Sequence, residues 1–211
     1  MSTAGPRRHQ CMIYDGPPSR TLPALAGAIG QRLAAHARCM YINSPTMVAG
    51  LRSQLYAAGM DVEHELARGA LVLIADQAHL VDGRFDVDRM LDMLEAAVQS
   101  ALAAGFAELF ATGDMTWEFG SEKELAKLLE YEWRLEQLFL KQAALSGICQ
   151  YHRDLLPHEA VRDGVVSHPS LFISDTISRL NPHYVLARSH DERRVAVHAG
   201  LDDALSALLA M

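Results

Sequence analysis

Six short segments carry side chains able to do chemistry, and each directly follows an apolar run: Tyr14-Asp15, Asn43-Ser44, Asp76-Gln77, Thr112-Gly113-Asp114, Gln150-Tyr151-His152 and Ser174-Asp175. Asp114 stands where a magnesium-binding acid would follow a hydrophobic strand, although its TGD context equally suits a turn or a polar contact to a ligand. Trp117 lies three residues on and reads as a core or lid residue, or as a stacking platform. Glu130-Tyr131-Glu132 interrupts the stripe Leu125, Leu128, Leu129, Leu135, Leu138 and Phe139, so one acid, Glu132, is expected near an apolar face with a partner. Tyr14, Asp114, Trp117, Glu132, Gln150 and Tyr151 are accordingly expected to line a mixed aromatic and polar ligand pocket.

Cysteine and histidine chemistry has weaker support. His9 and Cys11 share one face of the first strand, whereas His152, His158 and His168 scatter through the last third. A metal needs three or four ligands converging at about 2.0–2.3 Å, and no spacing here announces that. No metal and no cofactor is therefore expected. A nucleophile pair of Cys11 or Cys149 with His168 is the enzyme alternative, though thiols inside apolar strands are normally unreactive. Together with Arg20, a candidate anion contact, His9, Cys11, Cys149 and His168 form an additional candidate set.

Strands and helices must position these groups. Apolar runs predict strands at 10–14, 39–42, 70–74, 106–111, 148–151 and 171–173, separated by helices over about 22–35, from 45, around 61–68, from 85 toward Gly105, over about 121–144 and over about 155–165. Asn43-Ser44-Pro45 supplies a capping hydroxyl and a proline at the first helical position, and Ser121 with Glu124 has capping-box spacing. The alternation predicts one α/β domain over 1–211, with a mainly parallel central sheet and helices on both faces. Beyond 174 the pattern weakens, and 184–186 and 195–197 read as antiparallel edge strands before a short helix from 202.

Ligands of such sheets sit beyond the carboxyl ends of the strands. The loop after the first strand, DGPPSRT, has neither the glycines nor the lysine of G-x-x-x-x-G-K-[ST], and its prolines remove two backbone donors. The three lysines, Lys123, Lys127 and Lys141, all fall in the expected long helix. ATP hydrolysis is thereby excluded, since Asp114 alone cannot replace the electrostatic clamp of phosphoryl transfer. A net charge of -7, without a basic run longer than a pair, excludes a phosphate-backbone footprint and hence direct nucleic-acid binding. No apolar stretch approaches the roughly 20 residues that span a bilayer. Three cysteines without a metal-type CxxC suit a reducing, cytoplasmic setting.

In order along the chain, HQCMIY, RCMYIN, GALVLI, FDVDRM, TGDMTWEFG, LLEYEWRLEQ, GICQYHRDLLP and SHPSLFI resemble the sensory domain of methanogens and methylotrophs named after the dichloromethane-responsive repressor, the MEDS domain. The resemblance covers about 9–174 and leaves a C-terminal extension, 175–211. It implies a RecA/KaiC-like fold lacking the phosphate-binding loop, and sensing of small molecules such as hydrocarbon derivatives with a signal passed to regulatory protein partners. Its motifs fall at His9, Cys11, Tyr14, Gly113, Asp114, Trp117, Glu130, Tyr131, Glu132, Cys149, Gln150, Tyr151, His168 and Pro169. The repressor carries a DNA-binding unit beside its sensor, while eight residues precede His9 here, so output is expected through a separate partner. A non-catalytic sensor is the leading reading, with a cysteine/histidine enzyme and a ligand-free interaction scaffold as alternatives. Large residues on several sides of the long helix, Trp133 among them, further suggest a homodimer.

Overall fold

Apolar runs ended by turn formers become strands, and stripes at three- and four-residue spacing become helices. The protein, seen as a computed structural model, is described over residues 8–118 and 124–185. Its elements are β1 (His9–Tyr14), α1 (Leu22–Ala34), β2 (Arg38–Ile42), α2 (Pro45–Ala57), α3 (Val62–Ala67), β3 (Leu71–Ile74), β4 (Leu80–Val81), β5 (Arg84–Phe85), α4 (Val87–Ala103) and β6 (Leu109–Asp114). There follow α5 (Met115–Glu118), α6 (Leu125–Lys141), β7 (Leu145–His152), α7 (His158–Ser167), β8 (Ser170–Phe172) and β9 (Ser178–Leu180). The Ser44 hydroxyl accepts from the Met47 amide at 3.4 Å ahead of Pro45, and Asp86 caps α4 by accepting from the Arg89 amide at 2.8 Å.

The main sheet runs β3-β2-β6-β7-β1-β8-β9, parallel throughout except for the final β8–β9 pair. The expected mainly parallel α/β sheet with an antiparallel edge is thus present. Helix α1 packs with α2 on one face, where Cys39 Sγ lies 3.7 Å from the Ile29 carbonyl and Arg32 lies over Phe110. On the other face α6 lies between α4 and α7. Covered on both sides, all eight residues of β7 are buried.

Several boundaries differ from expectation. The fourth long strand is Leu109–Asp114 and not 106–111, because pairing with β2 and β7 carries the ladder through Thr112, Gly113 and Asp114. Those three residues are therefore strand and not loop. Helix α6 has 17 residues, shorter than the expected 121–144, since Gln142 leaves helical geometry and the next strand starts at Leu145. Ser121 lies outside the described residues, and Glu124 stands at the N-cap without a side-chain capping bond. The edge strand is Ser178–Leu180. Tyr184 and Val185 are not strand: the Val185 amide is taken by the Val166 carbonyl at 3.0 Å and the Tyr184 hydroxyl by Glu136. The expected elements at 195–197 and from 202 lie outside the described residues. The β4–β5 hairpin was not expected, although Asp82-Gly83, both at positive φ, is a strong hairpin signal.

Candidate functional site

Alternation along β7 sends adjacent residues to opposite faces of the sheet. In register, Tyr14 pairs with His152 and Gln150 with Asp114, while Cys11 pairs with Cys149 and Ile13 with Tyr151. The expected pocket therefore divides in two.

On the α1 side, the Tyr14 hydroxyl donates to the Asp114 carboxylate, whose Oδ1 accepts from the Thr116 amide at 2.8 Å. Burial first, then the charge and hydrogen bond of Asp114, push the Tyr14 phenol far above its ordinary range. Gln150 Nε2 donates to Thr112 Oγ1 at 2.9 Å, and Thr112 donates to the Ile148 carbonyl at 2.8 Å. Asp114 thus occupies the place of a magnesium acid with both oxygens engaged by the protein. Beyond this network, at the carboxyl ends of β1 and β8, opens a groove of about 490 Å³. Its wall includes Tyr14, Arg20, Arg153, Phe172 and Arg179, and Arg153 pairs with Asp15 at 3.0 Å. The loop beneath it, Pro18–Thr21, is a single 3₁₀ turn whose Arg20 amide is taken by the Pro17 carbonyl at 3.0 Å. It offers no nest of amides for phosphate.

On the α6 side lies a polar cluster inside the core. The Tyr151 hydroxyl donates to Glu132 Oε1, and Glu132 Oε2 stands 3.8 Å from His168 Nε2. His9 Nδ1 contacts Glu136 Oε2 at 2.6 Å, and His9 Nε2 lies 3.6 Å from Cys149 Sγ. His168 Nδ1 bonds the Gly164 carbonyl at 2.5 Å, and the His9 and His168 rings lie 3.9 Å apart. His9, Glu132 and His168 are at most 2% exposed, and Cys149 is 6% exposed. Burial, followed by the charge of Glu132, drives both the Cys11 thiol and the Tyr151 phenol well above their ordinary values.

Cys149, His9 and Glu136 do stand in the order thiol, imidazole, carboxylate. The cavity beside Cys149, however, is about 20 Å³ and lined by Met90, Leu94, Leu135 and Phe139. That is room for about one water and not for a substrate.

The structure thus joins Tyr14 to Asp114, Glu132 to Tyr151, and His9 to Cys149 and His168, while Cys11 and Arg20 border the groove. Trp117 joins neither group: its ring centroid lies 6.0 Å from that of His79, and its carbonyl accepts from Gln77 at 3.3 Å. Sequence reasoning missed Glu136, one helical turn after Glu132 on the same apolar stripe, a legible signal. It also missed Arg153 and Arg179, which only the tertiary fold brings to the groove.

A central parallel sheet flanked by helices, closed by an antiparallel edge, is the architecture shared with a KaiC-like protein of the hyperthermophilic archaeon Pyrococcus horikoshii OT3. The two superpose with a TM-score of 0.54 at 14% identity, over 79% of this chain and 72% of the other. At that identity the likeness is one of fold, and the segment after β1 carries no nucleotide-binding motif. The profile of the MEthanogen/methylotroph, DcmR Sensory domain (MEDS) matches residues 8–169, and the chain belongs to that family. It is a sensory and signalling domain. Comparison with curated proteins finds no match. Among the described residues no helix is long and apolar enough to cross a membrane.

Proposed function

We propose that the domain senses a small organic anion with an apolar body, bound in the groove at the carboxyl ends of β1 and β8. The carrying observation is the composition of that groove. Among the described residues, Arg20, Arg153 and Arg179 border it against one acid, Asp15, in a chain of net charge -7, while Ile13, Leu171 and Phe172 supply apolar wall. Guanidinium groups suit carboxylate, sulfonate or phosphate heads because they offer paired donors at a fixed angle. Tyr14 is the reporting residue. It touches the groove and holds Asp114, so a ligand that displaces its ring alters the hydrogen bond and, through Thr116, the start of α5. Gln150 backs this network, Trp117 follows it in α5, and Glu132 and Tyr151 stand outside the ligand shell.

The signal leaves through a separate regulatory protein in the cytoplasm, without direct nucleic-acid contact. The three free, buried cysteines fit that reducing setting. A homodimer through α6 would use its exposed outer residues, such as Leu140, because α4 and α7 flank the helix within the chain. Calorimetry with short-chain carboxylates, sulfonates and their neutral amides tests the reading. The acids should bind better than the amides, and Arg20→Ala with Arg179→Ala should weaken them about 10-fold or more. Amides that bind as well as the acids, or affinity indifferent to both arginines, would defeat the proposal. Magnesium ATP should give no binding.

A further inference from the structure

Four potential metal ligands converge in the core on the α6 side of the sheet, remote in sequence from one another. They are His9 of β1, Glu132 of α6, Cys149 of β7, and His168 between α7 and β8, and their ligand atoms all lie within 4.8 Å of one another. From this convergence we infer that the domain holds a zinc-class divalent cation, bound by His9 Nε2, His168 Nε2, Cys149 Sγ and a Glu132 carboxylate oxygen.

Two of the six ligand-atom separations already match a tetrahedron, and the widest, up to 4.8 Å, closes by about 1 Å on binding. Metal–ligand bonds of about 2.0–2.3 Å place neighbouring ligand atoms about 3.3–3.8 Å apart. Cys149 Sγ to His9 Nε2 is 3.6 Å, and His168 Nε2 to Glu132 Oε2 is 3.8 Å.

The surrounding shell is also of the kind that metal sites require. Ligating histidines usually donate their other ring N–H to a carboxylate or a backbone carbonyl, which fixes the tautomer and aims the lone pair. Glu136 holds His9 Nδ1 at 2.6 Å, and the Gly164 carbonyl holds His168 Nδ1 at 2.5 Å, so both Nε2 atoms face the cluster as acceptors. Tyr151 steadies the first Glu132 oxygen and leaves the second toward the histidines. Glu136 is itself held by Tyr184.

Charge points the same way. The two positive charges of a divalent ion balance the Cys149 thiolate and the Glu132 carboxylate, while the buried Glu136 adds one further negative charge behind His9 that favours a cation at this place. Binding releases the Cys149 thiol proton to solvent and makes the sulfur an anionic ligand. Borderline-soft nitrogen and sulfur donors beside one carboxylate select zinc or cobalt over magnesium or calcium. Four protein ligands, all buried, leave no open position, so the ion fastens β1, β7, α6 and the turn after α7 together. It performs no hydrolysis. The site shares no residue with the lining of the groove and does not depend on the sensing proposal.

Titration of the chelator-stripped full-length chain with Zn²⁺, and separately with Co²⁺, tests the inference. The expected result is about one ion per chain, with a proton released and, for cobalt, a thiolate charge-transfer band beside the visible bands of a tetrahedral ion. Cys149→Ser should abolish the thiolate band and weaken Zn²⁺ about 100-fold or more, while Cys11→Ser, on the same strand face but outside the ligand set, should change neither. Glu136→Gln should keep the band and weaken the ion about 10–100-fold. A folded wild-type chain that takes up no Zn²⁺ and shows no cobalt–thiolate band would overturn the inference, as would a band that survives Cys149→Ser or vanishes with Cys11→Ser. The wild-type titration decides alone if a variant fails to fold.

Discussion

Gln150 and Tyr151 are adjacent in β7 yet serve two chemically different places. Gln150 joins Thr112 on the α1 side, near the Tyr14–Asp114 pair and the groove, whereas Tyr151 reaches Glu132 on the α6 side, beneath α7. Each side has a tyrosine donating to a carboxylate. Tyr14 is part-exposed at the mouth of a groove, while Tyr151 is fully buried. The same hydrogen bond can therefore yield at the α1 side and must hold at the α6 side. A sensor needs one of each: a contact that moves and a frame that does not.

Alkaline pH should have the largest effect, and it tests whether both sides depend on neutral acids. Cys11 and Tyr151 on the α6 side, and Tyr14 and Cys39 on the α1 side, all have raised values, burial being the first cause of each; Cys39 rises to about 12. Their protonated forms are favoured in the folded state. The stability they give is whole below the unfolded values of about 8.5–10 and is lost as pH climbs toward the folded ones. Each group adds a slope of about 1.4 kcal/mol per pH unit in that window. Urea melts should show stability falling steeply above about pH 9, and Cys39→Ala should remove one proton from the slope. A profile level to pH 11 would contradict this.

Gly164→Ala comes next. Its Cβ would meet the Tyr151 ring at 2.5 Å, and that ring is locked by Glu132. A loss of about 3 kcal/mol is expected in chemical denaturation. Tyr151→Phe should then cost about 2 kcal/mol, because a buried carboxylate oxygen loses its donor, against about 1 kcal/mol for Tyr14→Phe, where Asp114 keeps the Thr116 amide. Equal costs would erase the contrast between the two sides. The smallest effect belongs to Gly27→Ala in α1. Its Cβ would meet Asp175 Cγ at 2.8 Å and Asp175 Cβ at 2.7 Å, and since a Cβ moves only with its backbone the segment at Asp175 must shift. The helical gain of about 0.5–1 kcal/mol offsets part of that cost and leaves a net loss of about 0.5–1 kcal/mol in melting.

The layout of the sheet was legible because its strands are short apolar runs punctuated by Gly, Pro, Asn and Asp, and because Ser44-Pro45 and Asp86 mark helix starts by local chemistry. The site was legible only in parts. Tyr14 and Asp114 each stand at the carboxyl end of an apolar run, where ligands of such sheets gather, so both were legible as site residues, although their meeting rests on β1 and β6 flanking β7. Placing Gln150 and Tyr151 in one pocket overlooked the two-residue period of a strand, which the sequence already contained. Convergence of His9, Glu132, Cys149 and His168 could not be read, since it depends on a strand order, β7-β1-β8, that no local pattern specifies. Thr112-Gly113-Asp114 looked like a turn because those residue types favour turns. Pairing on both flanks outweighs that preference.

The central place of β1 has a consequence for how the chain is made. Its partners in the sheet are β7 and β8, and both are synthesised long after it. At ribosomal speed that delay is on the order of 10 s. Throughout it HQCMIY waits as an unpaired apolar strand with both edges open, the kind of segment that finds wrong partners. Contacts as distant as His9 with Cys149 also make folding slow by topology, because the loop must close before the pairing rewards it. The nascent chain should therefore depend on chaperone protection of its first strand, and a truncation before Leu145 should aggregate where the full chain folds.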